Sequence, residues 1–148
     1  MYEKYHRCWY LMILAKKNLE DSQNKLDHIL EELTKTTVAM KNDISGKGGF
    51  DDKMAKLIAS KIDLEDIIKE QTILYNTRRK RVKKKLRELK ASKDILDDIY
   101  IRKFIDKERV GNIARGVHFS SSYTYELVSK IRRKINEIQE NLRSKNKN

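Results

Sequence analysis

The sequence predicts an all-α protein: a long N-terminal antiparallel helical hairpin followed by a C-terminal domain of three short helices. Three observations predict it. The 148-residue chain has no proline, five glycines and 38% charged residues, and proline breaks helix interiors while Lys, Glu, Leu and Arg favour them. Apolar residues recur at three-and-four spacing along two long runs separated by one Gly-rich interruption. The same spacing then continues in three shorter pieces. A chain of this length supports only one modest core.

The first helix is expected over about residues 2–43, where Leu19, Leu26, Ile29, Leu33 and Met40 mark one face. Ser22, Thr36 and Asp43 occupy positions that a strict coiled coil would fill with apolar residues. ISGKGGFDD, Ile44 to Asp52, ends it: the glycines supply permissive backbone, and Asp51 or Asp52 can cap the next helix. Its Gly-Lys-Gly-Gly is not a phosphate loop, because both the GxxxxGK spacing and the preceding strand are missing. A second helix over about 53–91 carries Leu57, Leu64, Ile68, Tyr75, Val82 and Leu89, with Ile58, Ile62 and Leu86 widening the stripe. Two helices of similar length pack most simply as an antiparallel hairpin, residues 1–92. A narrow two-helix contact leaves apolar surface uncovered, so a homo-oligomer formed through the hairpin is expected.

Charge divides the chain. Met1–Tyr75 holds 12 Lys/Arg and 13 Asp/Glu, whereas Asn76–Asn148 holds 22 and 9. A near-neutral module is joined to one suited to a polyanion, with nucleic acid the commonest. The run NTRRKRVKKKLRELKASK sets ten Lys/Arg against Glu88 alone, and like charges so dense repel one another along a helix. Phosphates would neutralise them, which nominates Arg78, Arg79, Lys80, Arg81, Lys83 and Lys84 for contact with a nucleic-acid backbone. A lone Cys8 excludes an internal disulfide and offers no zinc pattern, so a reducing, cytoplasmic setting is expected. The apolar run at Trp9–Ala15 is far shorter than the roughly 20 residues of a membrane span, and it lacks a signal-cleavage pattern. No membrane association is expected.

The third region, residues 93–142, breaks into three helices. Ser92 can cap the first, whose apolar face is Ile95, Leu96, Ile99, Tyr100 and Phe104. The second is expected over Arg109–Val117, with Val110, Ile113, Ala114 and Val117 on one side. After a turn at His118-Phe119, Ser120 caps a third helix with Leu127, Val128, Ile131, Ile135 and Ile138 inward. Two helices joined by so short a turn form a helix-turn-helix layout. Ala114 permits close approach and Phe119 fills the turn, while Ser121, Ser122, Tyr123, Tyr125 and Glu126 stand free on the leading turns. Residues 143–148 are expected to form a disordered tail.

At IYIRKFIDKERVGNIARGVHFSSSYTYELVSKIRRKI the chain resembles region 4 of sigma-70-type factors, without gaps over about Ile99 to Ile135. With the helical N-terminal half and the segment GKGGFDDKMAKLIASKIDLE, the whole resembles the ArpU/RinA-type late-gene transcriptional regulators of Gram-positive phages and prophages. The resemblance implies that Ser121, Ser122, Tyr123 and Glu126, with Tyr125 beside them, contact bases of double-stranded DNA. Arg109, Lys130, Arg132 and Arg133 then become candidates for the DNA backbone. It also implies activation of late genes together with host RNA polymerase. Three positions depart from the family pattern: His118 and Lys107 replace turn glycines, and Thr124 replaces an apolar residue of the reading helix.

Two other binding roles fit the same composition, a small-terminase-like packaging protein and a helical adaptor for acidic partners. Catalysis is not expected. His6, His28 and His118 are scattered, and no nucleophile-base pair or paired carboxylates can be nominated from spacing. No cofactor or metal is expected either.

Overall fold

The computed structural model describes residues 1–42 and 49–147. It is all-α, in the expected order: α1 (Tyr2–Asn42), α2 (Gly49–Ala91), α3 (Ile95–Tyr100) continuing into a π-helical turn (Ile101–Ile105), α4 (Val110–Val117) and α5 (Ser121–Asn146). Four local expectations change. Because α2 begins at Gly49, Asp51 and Asp52 lie inside the helix and not ahead of its first residue. Asp94, not Ser92, is the N-cap of α3, its carboxylate accepting from the Leu96 N–H. Arg109 is the N-cap residue of α4, outside the helix. α5 runs on to Asn146, so most of the segment expected as a disordered tail is helical. Asp43 and residues 44–48 of the Gly-rich loop lie outside the described residues.

Contacts divide the chain into two compact units, Ile13–Thr77 and Met1–Met12 with Arg78–Asn148. In the first, α1 and α2 pair as an antiparallel hairpin. Asn24, Lys25, His28 and Ile29 line one groove with Ser60, Asp63 and Leu64. Ala15, Ser22 and Thr36 are buried along α1, and the Thr36 hydroxyl donates to the Glu32 carbonyl at 2.8 Å. A small or back-bonded polar residue can therefore occupy the seam without an unsatisfied group. Leu57, Leu64, Ile68 and Tyr75 are half-buried, whereas Ile58 and Ile62, expected to widen the buried stripe, are exposed. One helix can cover only the facing side of its partner.

The second unit has a closed core. Leu89, Ile99, Ile113 and Ile131 are fully buried, joined by Tyr2, Tyr5, Tyr100, Val82, Val110, Val128 and Ile135. Four residues from the start of α1 tie that helix into the unit. The Tyr2 N–H donates to buried Asp97 at 2.8 Å, and Asp97 also accepts from Ser92 Oγ. The rings of Tyr2 and Phe104 both stack on Tyr100, with centroids 5.4 Å away, while Tyr5 lies T-shaped to it at 5.9 Å. His6 is held through both ring nitrogens, Nδ1 to Tyr100 Oη at 2.9 Å and Nε2 to Gln139 at 3.0 Å. With the Gln139 amide donating, the imidazole proton lies on Nδ1 and is given to Tyr100. Burial lowers the pKa of His6 to about 4 and raises that of Tyr100. Tyr10 accepts from Arg143 Nε at 2.6 Å, which ties the last turns of α5 to α1.

Candidate nucleic-acid interface

The turn between α4 and α5 sets where α5 begins. α4 has eight residues and is too short to be stable alone, so burial of Val110, Ile113 and Ala114 holds it. It ends at His118, which takes the left-handed conformation (φ 60°, ψ 37°) that glycine would supply, and whose N–H bonds the Ala114 carbonyl. Lys107 likewise has φ 60°. Both residues thus take a glycine-like backbone conformation, with a steric cost of about 1 kcal/mol each for an L side chain. Ser120 caps α5 as expected, its Oγ accepting from the Tyr123 N–H at 3.2 Å. Thr124 is fully buried, and its hydroxyl donates back to the Ser120 carbonyl at 2.9 Å. Its methyl can serve a core position because its polar atom is already satisfied.

With Thr124, Val128, Ile131, Ile135 and Ile138 buried, the 100° helical step defines the outer surfaces of α5. Ser122, Glu126, Ser129 and Arg133 form the row opposite the core, and all four are exposed. Tyr125 is 59% exposed. It shares an open groove of about 770 Å³ with Ser129, Arg132 and the start of α4. Tyr123 lies on the other flank, its ring T-shaped to that of the half-buried Phe119 with centroids 5.1 Å apart. Ser121 is exposed at the first turn. The five nominated residues therefore share one helix end but not one face: Ser122 and Glu126 point outward, with the tyrosines on opposite sides.

The nominated cations are also divided. Arg109 and Arg132 line the Tyr125 groove together with Lys103, Lys107 and Arg115, against Glu108 as its one acid. Arg132 also lies 6.0 Å over the Phe104 ring, a contact that positions the guanidinium without neutralising it. Lys130 is exposed on the far flank and Arg133 at the end of the outer row; both border a groove with Lys134 that also holds Glu3, Asp94, Asp97 and Glu137. On α2, burial of Val82 and Leu89 turns Lys80, Lys84 and Arg87 to the outside. Arg79, Arg81 and Lys83 are exposed as well. Arg78 is half-buried, with Nη1 donating to the Leu11 carbonyl at 2.8 Å, which uses one edge of its guanidinium to join the helices.

Lys103, Lys107, Arg115 and Ser129 are residues of the groove that sequence reasoning does not nominate. Lys107 is visible there only as a turn position, while Lys103 and Arg115 join the groove through the path of the chain around the π-helical turn. Ser129 does have a sequence signal, since it is one turn beyond Tyr125 on the helical net. Arg102 faces carboxylates instead, at 3.2 Å from Asp98 and 3.8 Å from Glu108.

Among the described residues, no group of three or more His, Cys, Asp and Glu could hold a metal ion. No helix among them is long and apolar enough to cross a membrane. Comparison with family models, curated proteins and solved structures found no match to this chain. The fold is an all-α protein with a long helix pair and a compact three-helix unit compatible with the helix-turn-helix class.

Proposed function

We propose that this protein binds double-stranded DNA through α5 and regulates transcription, as the phage and prophage late-gene regulators it resembles do. The observation that carries the reading is the exposed row Ser122, Glu126, Ser129 and Arg133, flanked on one side by the basic groove at Tyr125. A helix entering the major groove places such leading residues against base edges. Glu126 can accept from cytosine N4, and the serines can pair with several bases. Arg109, Lys107, Arg115 and Arg132 supply the phosphate contacts that fix orientation. Tyr125, in the groove, sits between these two roles. Tyr123, about half exposed beside Phe119, contacts DNA from the opposite flank. Lys130, Arg133 and the outer cations of α2 add affinity for phosphate without sequence preference. By resemblance, the regulator activates late genes together with the RNA polymerase of a bacterial host, in its cytoplasm.

Duplex binding followed by fluorescence anisotropy across about 50 to 200 mM salt tests the reading. Affinity should fall steeply and log-linearly, and Arg132→Ala and Arg109→Ala should each reduce the slope by about 1. No duplex binding at the lower salt would overturn it and favour an adaptor for acidic proteins.

A further inference from the structure

The hairpin carries a row that its own fold leaves uncovered. On α2, Ile62, Asp66, Lys69 and Ile73 are spaced by four, three and four residues, so they fall within a band of about 60° on the helix. All four are exposed, Ile62 at 53% and Ile73 at 68%. The half-buried residues Leu57, Leu64, Ile68 and Tyr75 mark the side of α2 that meets α1, and the row faces away from it. Neighbouring Lys61 and Glu65 pair with each other at 3.5 Å. Asp66 and Lys69, in contrast, take part in no ion pair among the described residues.

The order of the row is what selects an occupant. Read in chain direction it is apolar, acidic, basic, apolar; turned end for end it is apolar, basic, acidic, apolar. A second α2 laid antiparallel along it brings Ile62 against Ile73 at both ends and Asp66 against Lys69 twice in the middle. Self-complementarity of this kind is the requirement of a two-fold interface, in which each contact occurs twice. Net charge favours the same place. Ile13–Thr77 holds 10 Lys/Arg and 12 Asp/Glu, whereas the rest of the chain holds 24 and 10. Two copies repel through their basic units and approach without net penalty of that size through their hairpins. We propose that the Ile62–Asp66–Lys69–Ile73 row is a self-recognition face that joins two copies of this chain through antiparallel α2 helices. The assembly is independent of DNA binding, and its test needs no DNA.

Sedimentation of the full chain from about 1 to 100 µM reads the association, a range in which interfaces of modest size dissociate. The wild type should approach twice the 17.6 kDa chain mass. Asp66→Lys sets Lys against Lys at both central contacts, and Lys69→Asp sets Asp against Asp; each should weaken self-association by about tenfold or more. An equimolar mixture of the two variants restores both pairs and should form a heterodimer in preference to either homodimer. The double variant D66K/K69D should return to near wild-type affinity. Rescue on mixing cannot arise from misfolding of either partner. A wild type that stays monomeric through the range would overturn the proposal. So would a dimer indifferent to both single changes, or variants whose losses neither mixing nor the double change repairs.

Discussion

The two units of the chain treat apolar surface in opposite ways. The unit formed by Met1–Met12 and Arg78–Asn148 closes around Leu89, Ile99, Ile113 and Ile131, and carries its charge excess outside. The hairpin unit, Ile13–Thr77, leaves Ile58, Ile62, Ile67, Ile73 and Leu74 substantially exposed and is nearly neutral. Several elements meeting from different directions can enclose a side chain, whereas two helices share only a seam. The difference matches the two modes of recognition proposed above. Cations on a closed core suit a polyanion, and neutral apolar rows suit another protein helix.

The sharpest way to break this contrast is to remove equivalent isoleucines. Ile113→Ala should cost about 2–5 kcal/mol, because it empties a fully buried position, while Ile73→Ala should change monomer stability by less than about 0.5 kcal/mol. Chemical denaturation of the two variants at low protein concentration checks the pair. Comparable losses would mean that the hairpin is covered in the monomer.

A smaller effect is expected at His6. Its folded pKa of about 4 lies below the ordinary 6.5, so the folded state favours the neutral ring. Its stabilisation is fully present above pH 6.5, is lost progressively as pH falls through that window, and is gone below about 4. Thermal melting from pH 7 to 4 should drop further in the wild type than in His6→Gln, by on the order of 5 °C. Equal drops would assign the acid loss to carboxylates alone.

The smallest effects concern backbone at the helix-turn-helix. Gly111→Ala should stabilise α4 by up to about 1 kcal/mol, because an added Cβ meets nothing within 4 Å. Gly116→Ala should gain less, since its Cβ would lie 2.6 Å from Arg102 Nη1 and displace that side chain. His118→Gly and Lys107→Gly should each stabilise by up to about 1 kcal/mol by relieving left-handed strain. Urea midpoints of the four variants give the order directly.

The helices and their inward faces are legible in the sequence because three-and-four periodicity is a local property. Ser120 as a cap and Ile113, Ala114, Val128 and Ile131 as core derive from it. Partnership at a distance leaves no such local trace. Nothing near Tyr2, Tyr5 or His6 announces that they pack on Tyr100, about a hundred residues away in the chain, or that Asp97 receives the Tyr2 N–H. The cap of α3 differs from expectation because Ser92 and Asp94 are both good capping residues, and only the path of the chain decides between them. In the candidate site, the exposed leading turn of α5 is readable, but the groove at Tyr125 is not. It is assembled from α4, α5 and the π-helical turn, and its lysines and arginines are not neighbours in sequence.

In the proposed function, Ser122, Glu126 and Ser129 on the outer row of α5 read bases while Arg133 and the surrounding cations hold phosphate. Selection of bound duplexes from a random pool, with the wild type and a Ser122→Ala/Glu126→Ala variant in parallel, tests it most directly. The wild type should enrich a defined motif, and the variant should lose preference at particular positions while keeping its affinity for random duplex. Enrichment of the same motif by both proteins, or of no motif by the wild type, would contradict it.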